Sequence, residues 1–454
     1  MNRRELLIFA TGSALTSVLP FSARAQIVTA ELRGSINGTD LGLRPSAVDD
    51  QSAMLQAALN AASATGRTLF LPGGEYLISN IYLPARARIA GVAGETRLTY
   101  SGAGHLIAAE NSELVRLTDI VFDGSNRMLG EHVPGIVHLA NVPDVVIEGC
   151  TFLGSTDSAL ALDRCGGRIF GNLLSGAAEA GIRAVESTGL SVTDNVVRDC
   201  ANNGILIHRW TPGQDGTLVL GNRVERIRAD RGETGPYGNG INIFRAHNVT
   251  VAQNRISDCA FTAIRANSSD NIAIFANNCS RLGEMAIFSE FSFEGALIAD
   301  NIVDEAASGI SVSNFSEGGR LAVVSGNIVR NLTGSAPYLH DSPGFGIGIG
   351  VEADAVVTGN VIDGAPLAGI WVGWGPYLRN VSVTANVVRG APVGITVSVV
   401  DGVASTLISN NLIQGARDGA VVGMRWSDRV TADLTQDDAS TFDWLTIGGN
   451  HVAP

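Results

Sequence analysis

The stretch LSVTDNVVRDCANNGILIH, Leu190–His208, decides the fold. Leu190 and Val192 alternate with polar neighbours as in a short half-buried strand. Asn195 bends the chain, Val197 leads a second strand, and Gly204 opens a third whose Ile205 and Ile207 face one way while Leu206 and His208 face the other. Three strands and three turns in so few residues cannot bury an apolar face alone. Stacked copies can.

The copies are there. An Asn-x-aliphatic step recurs at Asn172, Asn195, Asn222, Asn254, Asn277, Asn301, Asn327, Asn360, Asn386, Asn411 and Asn450. A second signature, a small residue followed by an aliphatic one, begins at Gly181, Gly204, Gly240, Ala263, Ala286, Gly309, Gly346, Gly369, Gly394 and Gly419. The pattern predicts an all-β, right-handed, single-stranded parallel β-helix whose coils stack about 4.8 Å apart. Asparagine at a tight bend can take a left-handed backbone, and stacked copies can bond one another, so the ladder is read as structural. Degenerate coils with Cys150 and Phe152, and with Ile120 and Phe122, precede it.

The ends differ from the repeat. After Asp49-Asp50-Gln51, Met54, Leu55, Ala58, Leu59 and Ala62 fall on one helical face, which predicts a short helix capping the first coil. Arg3-Arg4, an apolar run to Phe21 and Ala23-Arg24-Ala25 read as a twin-arginine signal peptide cleaved near Ala25, hence an exported, periplasmic chain that uses the twin-arginine machinery. The expected divisions are residues 1–25 signal, 26–84 N-terminal cap, 85–425 coils and 426–454 C-terminal cap. No later stretch is apolar for long enough to span a bilayer as a helix.

Composition narrows the chemistry. A net charge of −13 disfavours nucleic acid. All 31 basic residues are arginine, which removes lysine bases and Schiff bases. Cys200, Cys259 and Cys279 occupy core slots, and the five cysteines show neither a C-x-x-C nor a Cys/His spacing, so buried free thiols are expected and no metal site is assigned. No cofactor is identified.

The segment from Asp49-Asp50 through the helical stretch to Leu71-Pro72-Gly73-Gly74-Glu75-Tyr76 resembles the opening of the pectate-lyase-like superfamily. That resemblance implies the right-handed β-helix and, for many members, polysaccharide chemistry. Arg3-Arg4 together with the Asn-x-Val and Gly-Ile repeats is also similar to twin-arginine-exported repeat proteins of unknown function, for which a bound cofactor has been suggested. The Asp-Asp with Gly-His-Gly pattern of polygalacturonases and the Asp-Pro-His of mannuronan epimerases are missing here.

Between the asparagine and the Gly-Ile strand most coils need eight or nine residues, but those after Asn222 and Asn327 take 18 and 19, and a milder insertion spans Asp123 to Pro134. Insertions on one face commonly mark a binding surface. The expected groove lies between the two long ones, with Tyr237 and Tyr338 on its walls. Its floor includes the outward residues Asn242, Phe244, Asn267 and Phe288, with Trp371 continuing the row beyond, a mixture of amides and aromatic faces that suits sugars. Glu290 is the candidate acid or base, Arg265 a clamp for a carboxylate, and His208 a second proton carrier. A surface ion pair is the plainer reading of Arg265 and Glu290. The enzymatic form of this reading is a polysaccharide lyase, hydrolase or epimerase. The alternatives are a non-catalytic carbohydrate-binding or scaffold β-helix, and a carrier of a cofactor loaded before export.

Overall fold

The computed structural model describes residues 34–313, 319–338, 343–436 and 441–454. The signal peptide expected at residues 1–25, the first residues of the N-terminal cap, and His340 and Asp341 of the second insertion lie outside the described residues.

Gly34–Pro454 form a parallel β-solenoid of about 14 turns. Each turn contributes a strand to three faces, here called A, B and C. In the coil quoted above these are Leu190–Thr193, Val196–Arg198 and Asn203–Gln214. The A face is one 16-stranded sheet from Ile36–Asn37 to Leu445–Gly448. The B and C faces merge into a single hydrogen-bonded network because Asn278–Glu290 and Ile302–Ser313 run from one face into the next without a break. Pairing is parallel between coils, and Val421–Arg425 is antiparallel to Asp428–Asp433 near the C-terminal end. The chain then re-enters the stack, Leu445–Gly448 on A and His451–Ala453 on B.

The asparagines occupy the A-to-B corner. Asn195 donates from Nδ2 to the Ile169 carbonyl (2.9 Å) and to Asn222 Oδ1 (3.0 Å), and its backbone N–H reaches the same Oδ1 (2.9 Å). The pattern runs to Asn450, and at the other end the Cys150 N–H donates to Asn172 Oδ1. The left-handed residue is not the asparagine but the one before it: Asp194, Gln253, Ala276, Asp300, Ala385 and Asn410 all have φ between 54° and 59°. The asparagine keeps ordinary backbone angles because its amide must point inward to reach two coils at once.

Small residues at the start of the C strands have a steric cause. A Cβ on Gly204 would lie 2.3 Å from the Gly240 carbonyl oxygen. In the coil after the second insertion the glycine in register with Gly309 is Gly348, since Ile310 pairs with Ile349. Gly346, expected from the sequence, is two residues early; a slip of two preserves alternation and so leaves no trace in the pattern. The helix spans Ser52–Ala64, and Leu55, Ala58, Leu59 and Ala62 join the core against Leu69, Ile78 and Ile81. All five cysteines are free and buried.

Candidate functional site

Strand pairing on the C face lines outward side chains into two rows. One runs His138, Ala161, Arg183, Leu206, Asn242, Arg265, Phe288, Ser311, Gly350 and Trp371. The other runs Asp163, Val185, His208, Phe244, Asn267, Glu290 and Ser313. The insertions decide which of these meet solvent.

Where a groove was expected between the two long insertions, a closed polar network stands instead. Arg265 and Glu290 are 7% and 2% exposed, and the guanidinium grips the carboxylate with two bonds, Nε to Oε1 at 2.7 Å and Nη2 to Oε2 at 2.8 Å. Asn267 Nδ2 donates to the same Oε1 at 2.7 Å. Beside them is Glu284, 2% exposed, which no sequence argument had singled out. Its Oε2 accepts from Thr234 of the first insertion (2.7 Å), from Thr262 (2.8 Å) and from Arg265 Nη1 (3.4 Å), and its Oε1 accepts from the Tyr338 hydroxyl of the second insertion. Burial, with Glu284 alongside, pushes the Tyr338 hydroxyl well above the usual phenol range. Two carboxylates deprived of water need donors: the neighbouring coil supplies Arg265, Asn267 and Thr262, and the insertions fold inward to add Thr234 and Tyr338 at Glu284. The expectation that Arg265 and Glu290 sit on an exposed strand is therefore corrected, and so is their reading as a surface pair.

The open cleft lies on the other side of the first insertion, toward the milder one. It has a volume of about 670 Å³ and is walled by residues 128–134 on one side and by Arg231, Pro236 and Tyr237 on the other. Asn203 Nδ2 donates to the Pro236 carbonyl (2.9 Å) and Asn242 Nδ2 to the Gly235 carbonyl (3.2 Å), so the floor pins the base of that wall. Leu206, His208 and Asn242 share the floor with three charged residues that the sequence reading overlooked, Asp157, Glu179 and Arg183.

Asp157 and Glu179 occupy the same position in successive coils, the Glu179 backbone N–H donating to the Asp157 carbonyl at 3.3 Å, which puts their backbones about 4.8 Å apart. Burial raises the Glu179 carboxyl, Asp157 raises it further, and Arg231 at 2.9 Å with Asn202 at 3.0 Å opposes the rise without cancelling it. Arg183 is aimed by Asp163, whose two oxygens take Arg183 Nη1 (2.9 Å) and His138 Nε2 (2.8 Å). Burial alone would raise Asp163; these partners hold it below the ordinary carboxylate range. Burial, then Arg183 and Arg245, lowers the His208 imidazole to about 4, so it is neutral near neutral pH. Its ring lies 4.8 Å from Phe244 and 5.7 Å from Trp210, which is 62% exposed on a strand extension at the far edge of the face. Arg245 covers Phe244 at 4.6 Å.

A smaller cavity of about 100 Å³ lies beyond the closed network, lined by Met285, Phe288, Ser311, Ser313, Trp371 and Trp374 and bordered by Pro343 and Gly344 of the second insertion. Phe288 stacks under Arg265 (4.9 Å), and Trp371 is largely covered, its Nε1 bonded to the Gly373 carbonyl and its ring packed with Val422 and Met424 of the C-terminal hairpin. Of the residues proposed from sequence, His208, Asn242 and Tyr237 line the cleft, Phe244 stacks on His208 at its edge, and Phe288 and Trp371 border the small cavity. Arg265, Glu290, Asn267 and Tyr338 form the closed network. Asp157 and Glu179 left one signal: an acidic residue just before the small residue of two successive C strands.

The family model described as "Right handed beta helix region" matches residues 95–229, "Rhamnogalacturonase A/epimerase, pectate lyase-like" matches 35–102, and "Periplasmic copper-binding protein (NosD)" matches 221–435. These matches bear out the resemblance to pectate-lyase-like, right-handed β-helix proteins. No curated protein matches the sequence. Solved structures similar to this chain include the catalytic unit of a GH87 α-1,3-glucanase from Streptomyces thermodiastaticus (16% identity, 92% of this chain and 69% of that one, TM-score 0.48). The A-module of the Azotobacter vinelandii mannuronan C-5 epimerase AlgE4 (15%, 92% and 95%, 0.36) and the Dettilon tailspike protein (14%, 93% and 69%, 0.45) are others. None transfers a residue role.

The copper in the third family's description can be tested against the donors present. Soft thiolate or clustered imidazole ligands are what copper selects. Among the described residues no three His, Cys, Asp or Glu side chains converge, and burial pushes the Cys279 thiol up to about 12 and Cys259 higher still. The described residues therefore hold no cluster of thiolates or imidazoles for copper. No helix among them is long and apolar enough to cross a membrane.

Proposed function

We propose that this chain binds and processes a polysaccharide in the C-face cleft, with Glu179 as the proton-transferring carboxyl and Asp157 as its partner. The observation that carries the reading is the carboxyl pair one coil apart, half enclosed, with Glu179 biased toward its protonated form. A carboxyl pair across a glycosidic bond is what hydrolysis requires, one as acid and one as base or nucleophile. Arg183 offers an anchored cation to a sugar hydroxyl or carboxylate. Neutral His208 accepts or donates a hydrogen bond, and Tyr237 and Phe244 offer apolar faces to the ring. Arg265 and Glu290 act here by holding the wall rather than by touching substrate. The chain is proposed to work in the periplasm after twin-arginine export, which fractionation of cells carrying Arg3→Gln, Arg4→Gln would test.

One feature favours a binding-only role: Trp210 stands exposed beside His208, as a stacking platform would. A panel of anionic and neutral polysaccharides, followed by ultraviolet absorbance for unsaturated products and by reducing ends, decides between the two. Turnover that vanishes in Glu179→Gln and Asp157→Asn while binding persists supports the enzyme. Binding that needs Trp210 and Tyr237, with no turnover on any polymer, replaces it with the module.

A further inference from the structure

The two long insertions leave the stack four coils apart and end on the same side chain. Glu284 belongs to neither of them; it sits at the B-to-C bend of Asn278–Glu290. Thr234 is held from two directions, donating to Glu284 Oε2 at 2.7 Å and accepting from Arg265 Nη1 at 3.0 Å, while Tyr338 donates to the other carboxylate oxygen. Each insertion turns its opposite side to a different opening. Arg231 and Tyr237, three residues to either side of Thr234, wall the cleft, and Pro343 and Gly344 border the small aromatic cavity.

We propose that Glu284 is a positioning residue that couples the two openings, so that whatever moves one insertion changes the wall of the other. The physical basis is that one carboxylate plane serves both loops. With Tyr338 released, Oε1 loses its donor and the carboxylate, held through Oε2 alone by Thr234, Thr262 and Arg265, can tilt about that oxygen, which degrades the geometry at Thr234 and through it the placement of Arg231 against Glu179. A small aromatic or pyranose ring entering the cavity at Phe288 and Trp371 would press on the second insertion and be felt in the cleft by the same route. The effect on turnover rests on the function proposed above; the coupling itself rests on geometry alone.

The test is amide hydrogen exchange on the full mature chain, comparing wild type, Tyr338→Phe and Thr234→Val. Tyr338→Phe is expected to speed exchange about tenfold at residues 228–239, in the insertion it does not belong to, and Thr234→Val to do the same at residues 332–338, with the asparagine corner unchanged as evidence of an intact stack. Acceleration confined to the mutated insertion overturns the coupling. If a polysaccharide is turned over, Tyr338→Phe should raise KM several-fold and leave kcat within about twofold, because the reacting groups stay in place while the wall loosens. An equal fall in kcat with unchanged KM would also overturn it. Exchange coupling seen without turnover on any polymer leaves this inference standing and removes the enzymatic reading, whereas turnover without exchange coupling does the reverse.

Discussion

The asparagine corner and the C face are made by the same coils, yet they use buried polar groups in opposite ways. At the corner each coil from Asn172 to Asn411 brings an asparagine whose amide bonds the next asparagine and a carbonyl of the preceding coil, one pattern repeated. On the C face each coil brings a different residue, and burial depends on loops that only two or three coils possess. A buried polar group that recurs is satisfied by its own repeat; one that occurs once must be satisfied by something recruited from elsewhere in the chain. That is why Glu284, a single carboxylate at the B-to-C bend, draws Thr234 and Tyr338 from the two insertions in addition to Thr262 and Arg265 of the neighbouring coil.

The sharpest way to break the comparison is to remove the cation that Glu284 and Glu290 share. Arg265→Leu leaves two buried carboxylates facing each other without a counter-charge and is expected to cost about 4 kcal/mol, read as a lowered urea midpoint. A loss under about 1 kcal/mol would mean that water reaches the network freely and that the face is not closed as described.

The corner should show a smaller, position-dependent cost. Asn254→Ala deprives the Asn222 backbone N–H and side-chain amide of their acceptor and the Val219 carbonyl of a donor, all buried, for about 3 kcal/mol. Asn450→Ala, at the partly exposed last coil, should cost under about 1 kcal/mol because water replaces the lost partner. Equal losses at the two positions would contradict a ladder whose strength comes from burial.

This contrast also explains what was legible in the sequence. The corner, the three strands per coil and the capping helix are repeated or periodic, and periodicity is visible in one sequence. The positions of the insertions were visible too, as coils of unusual length. Where the loops fold was not, because that depends on Thr234 and Tyr338 meeting a carboxylate 50 and 54 residues away. A floor expected between the two long insertions leaves out Arg183, Glu179 and Asp157, which lie on the near side of the first. The two-residue slip from Gly346 to Gly348 came from the same source, an insertion that hides register from alternation.

If the C face is specialised coil by coil, a change there can remove chemistry without removing stability, which no change at the corner can do. Glu179→Gln keeps the shape and one acceptor for Asn202 and Arg231, so the urea midpoint should move by less than about 1 kcal/mol. Turnover should fall at least about 100-fold, equivalent to about 2.7 kcal/mol of barrier. A parallel fall in both quantities would return Glu179 to a structural role.

The smallest effect concerns His208, an imidazole on the C face held neutral by burial and its neighbours. In the folded chain its imidazole titrates at about 4, because burial and the facing Arg183 and Arg245 guanidiniums disfavour the cation; in the unfolded chain it titrates near 6.5. Between those values the unfolded chain binds a proton that the folded chain refuses, so stability rises with pH through that window and falls on acidification from 6.5 toward 4. The imidazole is partly open to the cleft, and solvent screening reduces the full linkage to about 1 kcal/mol. His208→Phe repeats the residue found one coil later at Phe244, keeps the stacking with Trp210, and abolishes the titration. Its stability curve should lose about 1 kcal/mol of slope between pH 4 and 6.5 relative to wild type while matching it above pH 7. An unchanged slope would place the neutral imidazole elsewhere than between those two arginines.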